Sequence, residues 1–384
     1  MQNFTLYNPT KLVFGKDTIS ELSNLVPNNG PVLMAYGGGS IKKNGVYDQV
    51  IAALPNHQIL EFAGIEPNPR YETCLRAAEL IKANNVAYIL AVGGGSVLDA
   101  TKFISAAACW EEGDPWDIFT EGAPVTKMIP WGSVLTLPAT GSEMNCATVI
   151  SRDSTNEKRA IMQPLFFPDF SILDPETTKS LPRRQVINGI VDTYAHVLEQ
   201  YMTYPVNTPL QDRQAEAILL TLVEEGPKVL ENPDDYDIRA NLMWCATQAL
   251  TGPLSCGVVI DWATHMIGHE LTALYGLDHA QTLAVVFPAL LRHESERKAE
   301  KLLQYGERIF GITQGTDAER IAAAIDKTEE FFKSIGIGTR LKEYDVTEGV
   351  ERVGARLEDR GAVLGEHRVI DRKAVDEILE LAAE

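Results

Sequence analysis

No run of apolar residues in this 384-residue chain approaches the length of a membrane span, so no transmembrane helix is expected. The opening stretch MQNFTLYNPTKLVFG lacks the basic-then-apolar pattern of a secretory signal, and a cytoplasmic location is expected. Cysteine is scarce. Cys74, Cys109, Cys146, Cys245 and Cys256 are odd in number, and none belongs to a C-x-x-C pair. They read as small buried hydrophobes in a reducing compartment rather than as a disulfide framework. Positive charge is also short, with 34 Lys and Arg against 53 Asp and Glu and a formal net charge of −19. A duplex-binding protein needs a basic face to displace counterions, so nucleic acid and anionic membrane are excluded as expected partners. Low-complexity segments are missing as well, and the only internal repeat is a pair of Gly-Gly-Gly-Ser turns.

What is present is an ordinary apolar content and enough chain for two domains. Up to about residue 180, short apolar runs alternate with helical patterns. PVLMAY (31–36), QILEFA near residue 60, YILAV (88–92), VLTLPAT and FSILD read as strands. CLRAAELIKANN and SVLDATKFISAAA read as helices between them. This alternation predicts βαβ units and a mostly parallel sheet over residues 1–180. After Leu181 the strand signals stop. Pro182 suits a first helical turn, with Ser180 as its expected N-cap. Segments such as RRQVINGIVDTYAHVLEQYM and ERIAAAIDKTEEFFKSI repeat apolar residues at helical spacing, which predicts an all-helical domain over 181–384.

Gly93-Gly94-Gly95-Ser96 lies between a predicted strand and helix. Glycine lets backbone approach a ligand, and the N–H groups of the following helix start suit a phosphate. One such turn is equally compatible with a tight connection that holds no ligand. The spacing is not G-x-G-x-x-G, so a standard Rossmann fingerprint is not met. The earlier turn, Gly37-Gly38-Gly39-Ser40, has no carboxylate to hold a ribose diol, and Lys42 and Lys43 follow it. That favours NADP over NAD, with solvated surface lysines as the alternative.

Four of the seven histidines fall between residues 196 and 279. Asp192 and His196 are four apart on a predicted helix, as are His265 and His269, so each pair shares a face. His279 follows in GLDHAQ. A single buried histidine reads as a hydrogen-bonded core residue. Two such pairs and a fifth residue in apolar surroundings point instead to a divalent transition metal, Fe(II) or Zn(II), held by a carboxylate and imidazoles. His57, His293 and His367 stand in polar contexts and are expected at the surface.

KLVFGK, GIEPNP, GGGSVLDATK, TLPATGSE, ILDPE and above all HELTALYGLDHAQ run nearly end to end. Together they resemble the iron-containing, group III alcohol dehydrogenase family. YGGGS and DWATHMIGHELTA are similar to its NADPH-dependent aldehyde reductase and butanol dehydrogenase branch. The resemblance implies an α/β, Rossmann-like dinucleotide-binding domain followed by an all-α domain, in a dehydroquinate synthase-like fold. It implies Asp192, His196, His265 and His279 as metal ligands and His269 as a proton-relay candidate. Gly94, Gly95, Ser96 and Asp99 match its pyrophosphate loop. Asn68, Thr136, Thr140 and Lys158 match its other cofactor positions, to which Gly38 and Ser40 of the first turn are added. Pro138-Ala139 replaces the commoner Ala-Gly of that family before Thr140. The implied activity is metal-dependent, NADP(H)-linked interconversion of small aldehydes and primary alcohols, and a homodimer is the expected assembly. The competing readings are a glycerol-dehydrogenase-like polyol dehydrogenase or dehydroquinate-synthase-like enzyme, and a non-catalytic metal-binding protein on the same scaffold. The intact D-x-x-x-H … H-x-x-x-H … H pattern argues against the first two.

Overall fold

The computed structural model describes residues 1–383. Two compact units form. One comprises Tyr7–Pro182 and Asp234–Thr247, the other Met1–Leu6, Arg183–Pro233 and the residues from Gln248 on. The expected cut between 180 and 181 lies two residues from Pro182, and two further segments cross it. The helix at 236–249 is less amphipathic than its neighbours in sequence. It joins the α/β unit because Met243 enters that unit's core and Thr247 donates to Glu143 at 2.6 Å.

In the α/β unit, the main sheet is formed by β1 (Lys11–Phe14), β2 (Val32–Tyr36), β3 (Ile59–Phe62), β4 (Tyr88–Gly94), β5 (Trp131–Leu137) and β8 (Phe170–Leu173). All its pairings are parallel, in the order β1-β8-β5-β4-β2-β3. Alternation puts side chains on both faces. Val32, Met34 and Tyr36 join one core with Leu90 and Val92, whereas Leu33 and Ala35 join the other with Ile89 and Ala91. Being buried on both sides is why these strands read as continuous apolar runs. Besides the helix at 236–249, the helices of this unit are α1 (Leu22–Leu25), α2 (Ser40–Lys43), α3 (Val46–Ala53), α4 (Tyr71–Asn84), α5 (Gly95–Ala108) and α6 (Asp117–Thr120).

A hairpin of β6 (Ala147–Arg152) and β7 (Glu157–Met162) was not expected. Its β-branched run Thr148-Val149-Ile150 and its turn at Asp153–Thr155, closed by Asn156 in the left-handed region, carried that signal.

The helical unit contains α7 (Arg183–Tyr201), α8 (Pro209–Glu231), α10 (Ala263–Tyr275), α11 (His279–His293), α12 (Ala299–Phe310), α13 (Asp317–Ile335), α14 (Glu351–Asp359) and α15 (Arg372–Ala383), with α9 (Tyr236–Ala249) interrupting the order. Residues of α10, α11, α14 and α15 share one apolar core. Ser180 does not cap α7. The helix starts at Arg183, and the Ser180 hydroxyl instead accepts from Asn44 Nδ2 at 2.9 Å. His367 is exposed, but His57 and His293 are half-buried and hydrogen-bonded, to Val26 O and to two glutamates respectively. All five cysteines are free thiols, and Cys74, Cys245 and Cys256 are buried. No helix among the described residues is long and apolar enough to cross a membrane.

Candidate metal centre and cofactor turns

Helix α7 organises the helical unit's site. Arg184, Asn188, Asp192, His196 and Glu199 follow one another at spacings of four, four, four and three, so they lie along one face. At the first end, Arg184 Nε and Asn188 Nδ2 donate to Asp278 Oδ2 at 2.7 and 2.8 Å. Asp278 is the N-cap of α11 and forms a capping box with Gln281, which fixes His279 as the first residue of that helix. In the middle, Asp192 Oδ1 lies 3.5 Å from His196 Nδ1, 3.6 Å from His279 Nε2 and 4.0 Å from His265 Nε2. Ligand atoms of Asp192, His265 and His279 all fall within 4.8 Å of one another. His196 is outside that tight set, but its ring lies 4.7 Å from that of His265, centroid to centroid. His269 is buried one turn beyond His265, with its ring 5.2 Å from that of His279.

The donor set fits a divalent cation. Asp192 Oδ1 and His196 Nδ1 are buried and have no hydrogen-bond partner among the described residues. Left so, each would carry a desolvation cost that a cation removes. Burial pushes the His196 imidazole down to about 4, which keeps that ring neutral, with the lone pair of one ring nitrogen available.

Glu199 stands at the other end of the α7 stripe, and sequence reasoning missed it. Its Oε1 accepts from the His265 backbone N and from His265 Nδ1, both at 3.0 Å. Burial, helped by the nearby Asp261 carboxylate, pushes Glu199 up to about 8. The backbone donors of Trp262 and His265 act the other way and favour the ionised form.

In the α/β unit, the two glycine turns are neighbours. Tyr36 of β2 pairs with Val92 of β4, and each turn continues directly from its strand. Strand order reverses at this pair, because β3 follows β2 outward on one side while β5 follows β4 on the other. Such a switch point, at the carboxyl ends of parallel strands, is where nucleotides bind in open α/β sheets. Gly94, Gly95 and Ser96 open the 14-residue helix α5, and no side chain caps its first turn. Asn68, at φ 53°, accepts from Lys158 Nζ at 2.9 Å, so two of the expected cofactor residues meet. Thr136 and Thr140 lie at the end of β5 and in the loop after it.

Asp99 is engaged internally. It accepts from Ser142 Oγ at 2.6 Å and from Val149 N at 3.0 Å, which ties α5 to the TLPATGSE loop and to β6. Beside the first turn, a carboxylate does approach, from β3 rather than from the turn. Glu61 accepts from Lys42 Nζ at 2.8 Å, Tyr36 OH at 2.5 Å and Tyr47 OH at 2.6 Å. These donors, Lys42 foremost, pull Glu61 down to about 2. Lys42 therefore is not a freely solvated cation, and Glu61 has its hydrogen bonds already made.

The family model for iron-containing alcohol dehydrogenases matches residues 9–175, and that for the C-terminal part of the same family matches residues 186–383. This chain belongs to the iron-containing alcohol dehydrogenase family. Among its relatives, the NADPH-dependent aldehyde reductase YqhD of Escherichia coli (strain K12) is 52% identical over 386 residues, covering 100% of both chains. The NADP-dependent alcohol dehydrogenase 3 of Entamoeba histolytica is 43% identical over 99% of this chain and 98% of its own. The crystal structure of E. coli K-12 YqhD superposes with a TM-score of 0.98, covering 100% of this chain and 99% of that one. That of the NADH-dependent butanol dehydrogenase A of Thermotoga maritima does so at 0.94, with 37% identity over 100% of this chain and 99% of its own. The names of these family members thus include both nicotinamide cofactors.

Proposed function

We propose that the protein is an NADPH-linked reductase of small aldehydes, working reversibly on the corresponding primary alcohols. The observation that carries this reading is the meeting of the Asp192, His265 and His279 ligand atoms within 4.8 Å, around a buried carboxylate oxygen that no hydrogen bond from the described residues satisfies. Asp192, His196, His265 and His279 would hold a divalent cation, Fe(II) or Zn(II). Such a cation supplies Lewis-acid polarisation of the carbonyl, and the nicotinamide supplies the hydride.

The remaining work belongs to the chain. The first turn of α5 receives the pyrophosphate, with Gly94, Gly95 and Ser96 presenting backbone N–H groups. Asn68, Thr136, Thr140 and Lys158 hold the rest of the dinucleotide, and Asp99 acts by fixing the loop that carries Thr140. Gly38 and Ser40 face the adenosine ribose, where a turn without carboxylates accepts a 2′-phosphate. The oxygen of the product alcohol must gain one proton, and His269 supplies it. We place the protein in the cytoplasm as a homodimer.

Following NADPH absorbance with butanal, with and without a chelator, tests the reading. Chelator-sensitive oxidation is expected, and turnover indifferent to complete metal removal would refute it. In the same assay His269→Ala should keep metal and cofactor binding while losing about a hundred- to ten-thousandfold in kcat. Loss of the metal would make His269 a ligand instead, and a kcat within a few-fold of wild type would remove it from proton transfer.

A further inference from the structure

Helix α10 begins awkwardly. Its N-cap, Trp262, has φ 74°, a left-handed backbone that a bulky side chain rarely adopts. Two buried carboxylates hold this entry. Glu199 Oε2 accepts from Trp262 N at 3.0 Å, and Asp261 Oδ1 accepts from Ala263 N at 2.9 Å. The Asp261 backbone N–H in turn donates to Glu199 O at 2.9 Å. Asp261 Oδ2 accepts from Lys298 Nζ at 2.8 Å. The same ammonium reaches both oxygens of Glu366, at 2.8 and 2.7 Å, and Met202 O at 2.7 Å. The side chains of Glu199, Asp261, Lys298 and Glu366 are no more than 4% exposed. The cluster therefore ties α7, the residues before α10, the start of α12 and the segment before α15 to one small volume.

Its inner end is His265. A carboxylate oxygen at 3.0 Å from Nδ1 favours the tautomer with the proton on that nitrogen. The lone pair is then on Nε2, the atom facing Asp192. His196 has no such brace, since its Nδ1 is without a hydrogen-bond partner among the described residues.

We propose that Glu199 is the positioning residue of the metal centre. By accepting from Nδ1 and from the backbone of Trp262 and His265 it fixes the ring, its tautomer and the start of the helix that carries it. Asp261, Lys298 and Glu366 brace Glu199 in turn. The inference rests on the reading of Asp192, His196, His265 and His279 as ligands. Losing an outer partner of this kind typically costs metal affinity.

Cobalt(II) is a suitable probe. The full-length protein is stripped of metal, and cobalt affinity is measured by chelator competition for wild type, Glu199→Gln and His265→Ala. The visible absorption spectrum of the cobalt form and the melting temperature of the metal-free form are recorded alongside. Glu199→Gln should bind cobalt about ten- to a hundredfold more weakly, with an altered spectrum. His265→Ala should lose more. Wild-type affinity and spectrum in Glu199→Gln, whatever its melting temperature, would reduce Glu199 to a helix cap and overturn the proposal while leaving the ligand reading intact. Wild-type affinity in His265→Ala would overturn the ligand reading and the proposal together. If the glutamine variant does not fold, Glu199→Asp serves the same purpose. It keeps the carboxyl group but withdraws the oxygen from Nδ1, and undiminished cobalt affinity there also overturns the proposal.

Discussion

The two Gly-Gly-Gly-Ser turns are identical in sequence and sit side by side on β2 and β4, yet they need glycine for different reasons. After β2, the strand stops at Tyr36, Gly39 takes φ 88°, and a helix of only four residues follows. A Cβ on Gly38 or Gly39 would meet nothing within 4 Å. Only Gly37 is close to the chain, where a Cβ would lie 3.3 Å from Ile65 O, so the turn is open at Gly38 and Gly39. After β4, the strand runs on to Gly94 through a register shift at Gly93/Gly94, and the long helix α5 starts at once. None of those three glycines has a positive φ. A Cβ on Gly93 would lie 2.7 Å from Val97 Cβ, one on Gly94 2.9 Å from Leu137 Cβ, and one on Gly95 2.5 Å from Thr140 Oγ1. Here glycine lets strand, helix and loop close on one another. A repeated motif is thus evidence of a shared location and not of a shared role.

This contrast can be broken by substitution. The largest effect is expected at the closed turn. Gly93→Ala pushes a methyl into the stiff, β-branched Val97 and should cost about 1–3 kcal/mol of stability, read as a lowered melting temperature. An unchanged melting temperature would show that α5 can shift and that the closed turn is not packed as described. A smaller effect is expected from Gly38→Asp at the open turn. The fold should be kept, while repulsion of a 2′-phosphate moves the NADPH to NADH ratio of kcat/KM towards NADH by about tenfold, the size of a partly screened charge pair. A wild-type protein that prefers NADH, or a ratio that does not move, would take the first turn out of cofactor choice. The smallest effect belongs to Gly38→Ala, which should change neither melting temperature nor the NADPH to NADH ratio appreciably, since the added methyl meets no other part of the chain and carries no charge.

What the sequence revealed follows the range over which each signal acts. Asp192 with His196, and His265 with His269, were visible because helical spacing is local and the surroundings are apolar. The strands β2, β4, β5 and β8 were visible because burial on both faces makes them predominantly apolar, the buried Ser133 and Ser171 of β5 and β8 pairing with each other. Glu199 was not singled out, although it lies three residues past His196 on the same face, because a glutamate near a helix end reads as solvated surface. Its partner His265 is 66 residues away, and Glu366 is 68 residues from Lys298. No spacing rule connects such residues before the fold does. Glu61 and Lys42 illustrate the same limit across 19 residues. The turn alone reads as cationic, and only the parallel pairing of β2 with β3 brings Glu61 beside Tyr36 and Lys42.

The open turn, the closed turn and the α7 stripe matter to function only if the helical unit holds a metal and that metal is needed for reduction. Metal content and NADPH-dependent butanal turnover of His265→Ala, determined on one folded preparation, test this most directly. The account predicts that both are lost together, because an open catalytic site depends on a fixed ligand count. Full metal occupancy with wild-type turnover in that variant would contradict it.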